Sequence, residues 1–267
     1  MNPRPLDTEL LKPEAYPRLP LDGEPWQWFL TACADLEITV DEAQHRVLEA
    51  LYSHLIGVNA WLNLTRLTTP AEYLKFHVFD SLTALAPVAE LTESGDLCLD
   101  LGSGGGYPGL PLMIWLPNRH WVLLDSRGKK AAFLAEAIRL TPCHSAEAAA
   151  FRGREAAHAR PDLARGCALV TARAVGPAED VLAEADALVR TDGFLLLLKG
   201  PSFVEQERQA ALASAARFGF ELVQEMQIAL DDTDPNRILV LFERVEVPPT
   251  AARHGLRPGG RSRRAPG

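Results

Sequence analysis

Asp100-Leu-Gly-Ser-Gly-Gly-Gly-Tyr-Pro-Gly-Leu-Pro-Leu112 joins a short apolar run, Leu97-Cys98-Leu99, to a longer one that holds Leu110, Leu112, Met113, Ile114 and Leu116. The first run reads as a buried strand and the second has helix length. A strand, a glycine-rich turn and a helix in that order bring bare backbone against a nucleotide-like ligand. Glycine is required there because a side chain would block the approach and the turn needs positive φ. Asp100, at the strand end, is placed to accept hydrogen bonds from such a ligand.

Outward from this stretch, single strands alternate with helices. Strands are predicted at Leu97–Leu101, Trp121–Asp125, Ala168–Thr171, Phe194–Lys199, Phe220–Ile228 and Ile238–Phe242. Helices are expected at about 108–116, 128–140 and 177–190, the last opened by Pro177. A further one runs from Val204 to Arg217, with Gly219 as its stop. This order implies an α/β fold with a mostly parallel sheet, helices on both faces and a closing hairpin that makes an edge strand antiparallel. Asp231–Asn236 makes the hairpin turn.

Upstream, the spacing of Trp26, Phe29, Leu30 and Cys33 is helical. Asp41 reads as the N-cap of a helix carrying Val47, Leu48, Leu51, Leu55, Ile56 and Val58. The segment Asn59–Thr65 looks too irregular to extend it. Thr69-Pro70 with Glu72 opens another helix. Residues 26–90 therefore form a helical region ahead of a domain at 91–247. Residues 1–25 hold six prolines and read as an extended, mobile leader.

Composition narrows the class. The chain has 267 residues, enough for a sizeable core, and its apolar fraction of 47% is ordinary for a globular protein. No apolar run approaches the ~20 residues of a membrane helix, and the first residues lack the plan of a signal peptide. Cys33, Cys98, Cys143 and Cys167 are far apart, which fits a reducing cytosol better than a disulfide or zinc framework. Net charge is −8, yet residues 251–267 carry five arginines and no acid, leaving −13 on residues 1–250. The basic tail, 248–267, is either a solvated disordered end or a contact for RNA.

Two registers of the glycine stretch compete. Gly104-x-Gly106-x-x-Gly109 satisfies the dinucleotide fingerprint, with Asp125 near the spacing of a ribose-binding acid. Asp100-x-Gly102-x-Gly104-x-Gly106 instead has the acid-plus-glycines pattern of S-adenosylmethionine-dependent methyltransferases. Asp125 would take the ribose hydroxyls in either case.

The wider chain decides between them. Asn63-Leu-Thr65, His77-x-x-Asp80-Ser81, the glycine stretch, Leu124-Asp-Ser-x-Gly-Lys-Lys130, Thr171-Ala-Arg-Ala174 and Leu198-Lys-Gly200 together resemble the RsmG (GidB) family, over roughly residues 26–245. The resemblance implies a Rossmann-like class I methyltransferase with a seven-stranded sheet and an N-terminal helical cap. It also implies a cytoplasmic monomer that uses S-adenosylmethionine to methylate N7 of a guanine in 16S rRNA, free or in a small-subunit assembly particle. The family string Gly-Arg-Ala-Glu has its nearest counterpart in Arg152-Gly-Arg-Glu155.

On this resemblance Gly102, Gly104, Gly106 and Tyr107 shape the methionine end of the donor pocket together with Asp100. Asp125 and Ser126 face the ribose, and Arg154 and Glu155 border the adenine. Arg173 sits where donor and acceptor base meet, and it and His77 are the candidate catalytic residues. Lys130, Lys199 and Arg237 are the RNA candidates. Guanine N7 has a lone pair and no proton, so no general base is needed; accordingly no nucleophile triad and no metal-ligand spacing appears.

Overall fold

The computed structural model describes residues 8–231 and 237–246. The strands are β1 (Leu97–Leu101), β2 (His120–Leu124), β3 (Ala146–Ala149), β4 (Cys167–Arg173), β5 (Val189–Lys199), β6 (Phe220–Ile228) and β7 (Arg237–Arg244). They form one sheet in the order β3-β2-β1-β4-β5-β7-β6. β1 to β5 are mutually parallel, and β7 runs antiparallel to both β5 and β6. The β6–β7 hairpin thus supplies the antiparallel pairing at that edge. In β1 the register sets Asp100 beside Thr171 of β4 and Leu123 of β2.

Both sheet faces are buried, as the apolar strands require. Alternate residues divide between two cores: Cys98, Trp121, Leu123 and Leu196 point to one face, Leu99, Val122, Leu124 and Leu197 to the other. The second face is covered by α7 (Gly153–Ala159), α8 (Ala178–Ala185) and α9, in which Phe203–Glu207 leads into Arg208–Phe218. Gly219 ends α9 with φ +73°, the expected stop.

The first face carries α5 (Gly109–Trp115), α6 (Gly128–Ile138) and the helical cap: α1 (Gly23–Asp35), α2 (Glu42–Leu62), α3 (residues 70–82) and α4 (Leu85–Leu91). Capping boxes at Asp41–Gln44 and Thr69–Glu72 open α2 and α3, as their sequences predict. α3 is not regular. Its middle, Tyr73–Phe79, is π-helical, so the Asp80 N–H reaches back five residues to the Lys75 carbonyl. Such a bulge shifts the face on which the following side chains emerge.

Four expectations change. From residue 8 the proposed extended leader is a packed segment of two 3-10 turns. Leu11 and Leu21 are buried, the Leu19 and Leu21 N–H groups donate to Ser53 and Glu49 of α2, and His54 Nε2 lies 2.7 Å from the Leu11 carbonyl. α2 continues through Trp61 and Leu62; Asn59 Oδ1 then accepts from the Leu64 and Thr65 N–H groups, which lets the chain turn at Asn63 with φ +51°. α8 ends at Ala185, and Val189 already belongs to β5. The Ala146-Glu-Ala-Ala149 strand has no apolar alternation and pairs only with β2, so nothing in its pattern announced it. The basic tail at 248–267 lies outside the described residues, as does most of the hairpin turn.

Candidate active site

The parallel strands end on one side of the sheet, and the segments that follow β1 to β5 line three adjoining cavities. The first, about 400 Å³, lies between the glycine loop and the ends of β2 and β4. The second, about 610 Å³, shares Gly102, Ser126 and Val175 with it and extends to Phe151–Arg154 and α8. The third, about 570 Å³, shares His77, Arg173 and Ala174 with the first. It runs past Phe76 and Asp80 to Lys199 and Arg237.

The glycine loop is held from below. Asp100 is fully buried, and its Oδ2 accepts from Ser103 Oγ (2.6 Å) and the Gly109 N–H (3.0 Å). Its Oδ1 accepts from Thr171 Oγ1 (3.0 Å). Burial pushes this carboxyl up to about 6, against the pull of those three donors. Its position at the strand end led to the expectation that Asp100 accepts hydrogen bonds from a ligand; instead it does not line the cavity, and its oxygens are taken up in shaping the loop.

Gly102 (φ +69°) and Gly104 (φ +62°) line the first cavity. Gly106 does not: with φ +101° it turns the chain into α5, and a Cβ there would lie 2.1 Å from Leu110 Cδ1. Its requirement for glycine is thus conformational and steric. Ser103 and Gly105 take places on the wall that the motif spacing did not assign them.

Across the cavity, Asp125 directly follows β2. Its Oδ2 accepts the Gly104 N–H (3.1 Å) and its Oδ1 the Arg127 N–H (2.8 Å). Each oxygen keeps lone-pair capacity for a further donor. Ser126 is exposed beside it, on the boundary of the first two cavities.

In the second cavity both Arg152 and Arg154 are on the wall. Arg154 is oriented by its Nε donating to the Ala183 carbonyl (2.9 Å) and its guanidinium lying 5.7 Å from the Phe218 ring centroid. Glu155 is turned away: its Oε2 accepts from the Arg152 N–H (3.2 Å), closing the first turn of α7, and it does not line the cavity. The helix start claims that carboxylate, which corrects its expected place beside the ligand.

Where the first and third cavities meet, three planar groups are layered. The His77 ring stacks on Tyr107 (4.5 Å, 10°), and the Arg173 guanidinium lies 5.4 Å from the Tyr107 centroid. His77 Nε2 is 2.9 Å from Thr65 Oγ1, and its Nδ1 is buried with no hydrogen-bond partner among the described residues. Burial, reinforced by the Arg173 charge, pulls this imidazole down to about 3, so it is neutral at physiological pH.

Arg173 NH1 donates to the Phe76 carbonyl (2.8 Å) and to Asp80 Oδ2 (2.6 Å). The other Asp80 oxygen accepts from Arg237 Nε (3.1 Å). At the end of β5, Lys199 Nζ donates to the Gly176 carbonyl (2.8 Å) and Glu207 Oε2 (2.6 Å). Expected Arg173, His77, Lys199 and Arg237 thus converge on the third cavity. Lys130 does not join them; it lines the first, with Nζ 3.8 Å from where a Gly104 Cβ would stand. From sequence, Phe76 reads as core and Thr65 as part of a structural polar turn, and Glu207 carries no signal; only the folded chain puts the three on these walls.

Together the walls offer backbone N–H groups, a carboxylate and a serine to a nucleoside-like ligand in the first two cavities. The third offers a cation-rich cleft to a second ligand. Residues 44–229 match the family described as GidB, rRNA small subunit methyltransferase G. The Ribosomal RNA small subunit methyltransferase G of Synechococcus elongatus is 34% identical over 208 residues, covering 78% of this chain and 85% of that protein. The protein of that name from Lactobacillus johnsonii is 30% identical over 227 residues (83% and 92%). That from Gloeobacter violaceus is 35% identical over 190 residues (71% and 74%).

Proposed function

The chain belongs to the GidB family, rRNA small subunit methyltransferase G, and from that premise we propose that it methylates N7 of a guanine, position 527 in the usual numbering, in the 530 loop of 16S rRNA. Membership makes it an S-adenosylmethionine-dependent methyltransferase of small-subunit rRNA; the base and the atom are the step beyond.

The residues present fit that donor. Gly102, Ser103 and Gly104 leave a bare cradle for its methionine end, with Lys130 beside them to face the carboxylate. Asp125 and Ser126 take the ribose hydroxyls, and the wall from Phe151 to Arg154 borders the adenine. When bound, the donor supplies an electrophilic methyl on a sulfonium.

One observation favours N7: among the described residues at the junction, no carboxylate stands unpaired as a ready general base. His77 is buried with its pKa near 3, and both oxygens of Asp80 are engaged by arginines. An acceptor carrying its own lone pair needs no base, only alignment and exclusion of water, and alignment can supply on the order of 7–11 kcal/mol. Arg173 is the residue for that alignment. Its NH1 is tied to Asp80 and Phe76, which aims the remaining N–H groups at guanine O6 and leaves N7 open to the methyl. His77 holds the Tyr107 ring in place beside it. Lys199 and Arg237, farther along the cleft, serve neighbouring phosphates.

In this reading the protein acts as a cytoplasmic monomer on 16S rRNA or a small-subunit assembly particle. Among the described residues no helix is long and apolar enough to cross a membrane. Mapping N7-methylguanine in 16S rRNA from cells lacking the protein tests the proposal. The expected result is loss of one N7-methylguanine, restored by the wild-type gene. An unchanged pattern, or loss of a methyl from another base, refutes it.

A further inference from the structure

The third cavity contains one feature that charge pairing leaves unexplained. Phe76 is half-buried, although Tyr73, Leu74, His77, Val78 and Phe79 of the same π-helical stretch are all buried. It packs partly on the core and also lines the cleft, the one residue with a phenyl, phenol or indole ring among the described residues that do. The other rings near the junction are spoken for: Tyr107 and His77 are stacked on each other.

The ring is also held still. The Phe76 carbonyl accepts from Arg173 NH1, so its backbone is fixed to the residue at the donor junction. Lys75, ion-paired with Asp231, sets its Nζ 5.0 Å from the Phe76 centroid. A cation against one face of an aromatic ring lowers the freedom of that ring and leaves the opposite face for another partner. Around it, Leu67 and Leu198 continue an apolar wall, while Arg173 and Asp80 mark the polar edge. A partly exposed aromatic residue in a cleft that also holds an arginine has the chemistry that receives an unpaired nucleobase. The face takes stacking and the edge takes hydrogen bonding.

We propose that Phe76 is the platform on which the target purine stacks, setting the plane in which N7 meets the methyl donor. This rests on the methylation of an RNA base proposed above. The platform explains why the π-helical bulge falls where it does. The π-helical stretch sets Phe76 and His77 together on the cleft, with His77 also lining the cavity of the glycine loop.

The test compares Phe76→Leu, which keeps apolar bulk and removes the aromatic face, with Phe76→Tyr and Phe76→Trp, which keep a face. Each is assayed for tritiated methyl transfer to small ribosomal subunits purified from cells lacking the protein, with kcat and KM for the subunit resolved. Affinity for S-adenosylhomocysteine, measured by calorimetry, reports whether each variant retains its fold and donor site. The expected result is a fall of about 10-fold or more in kcat/KM for Leu. Tyr or Trp should restore activity to within about 3-fold, and donor affinity should be unchanged throughout. Full activity in Phe76→Leu overturns the platform, as does an equal loss in all three variants. If the wild-type protein methylates subunits and Phe76→Leu does so equally, only the platform falls. If the wild-type protein transfers no methyl to RNA, the functional reading falls and the platform with it.

Discussion

The cavities proposed to hold the donor and the cleft proposed for the acceptor are built on opposite plans. The first is made of backbone and of residues near one another in sequence: Gly102 to Gly105, Asp125 and Ser126 lie on two successive strand-to-helix loops. Its one deeply buried charge, Asp100, is spent internally on Ser103, Gly109 and Thr171. The acceptor cleft is made of side-chain charges drawn from far apart. Arg173 reaches Asp80 across 93 positions and Arg237 reaches it across 157. Lys199 is neutralised by Glu207. A small, chemically constant ligand is met by a fixed backbone cradle. A large polyanion is met by cations that already have partners, so its phosphates must compete with carboxylates for them. Nonspecific RNA gains little from such a surface, whereas a correctly shaped one can repay the exchange.

The largest predicted effect breaks the cradle. Gly106→Val combines a φ of +101° with a contact to Leu110 that cannot be relieved cheaply. Strain of about 2–3 kcal/mol should weaken S-adenosylhomocysteine by about 100-fold in calorimetry. Unaltered affinity would mean the loop relaxes without its glycine. The next separates the two plans. Arg173→Ala should leave donor affinity within about 3-fold yet lower kcat for methyl transfer by about 30-fold, inside the roughly 1–3 kcal/mol of one oriented base contact. Equal loss of both would place Arg173 in the cradle rather than at the junction.

The smallest concerns the neutral ring between them. His77 folds with a pKa near 3, below the ordinary imidazole value, so its contribution to stability is fully present above about pH 6.5 and is lost as pH falls toward 3. The slope from this group is at most about 1.4 kcal/mol per pH unit. Asp100, raised to about 6, has the opposite sign: its contribution is full below about pH 4 and is lost as pH rises through 6. Thermal unfolding of His77→Gln, with Asp100 intact, should therefore show a flatter acid limb than wild type between pH 6.5 and 4. Parallel curves would mean the ring titrates as a surface histidine does.

The same contrast governs what could be read from the chain before folding. β1 and β6 were bounded from sequence as they stand in the fold, because apolar runs and glycine or polar stops are local signals. The glycine loop, Asp125 and the caps at Asp41 and Thr69 were legible for the same reason. The alanine-rich β3 was not, since its pairing with β2, not its own side chains, makes it a strand. In the site, residue types could be assigned but not their partners. Whether Asp100 faced a ligand or the loop, whether Glu155 faced adenine or its own helix, and which carboxylate held Arg173 all depend on contacts between distant segments. Lys130, an RNA candidate from sequence, stands apart from Lys199 and Arg237 on the same account: its position at a helix start was visible, but the proximity of that helix to Gly104 was not.

The wall shared by His77, Arg173 and Ala174 has an energetic corollary. Two ligands that meet the same residues can be coupled, and any coupling between them is reciprocal. If RNA draws Arg173 from Asp80 and thereby alters affinity for the donor by some factor, the donor must alter affinity for RNA by that same factor, whichever arrives first. Arg173 thus sets a single coupling constant for the enzyme, one number that order of addition cannot change.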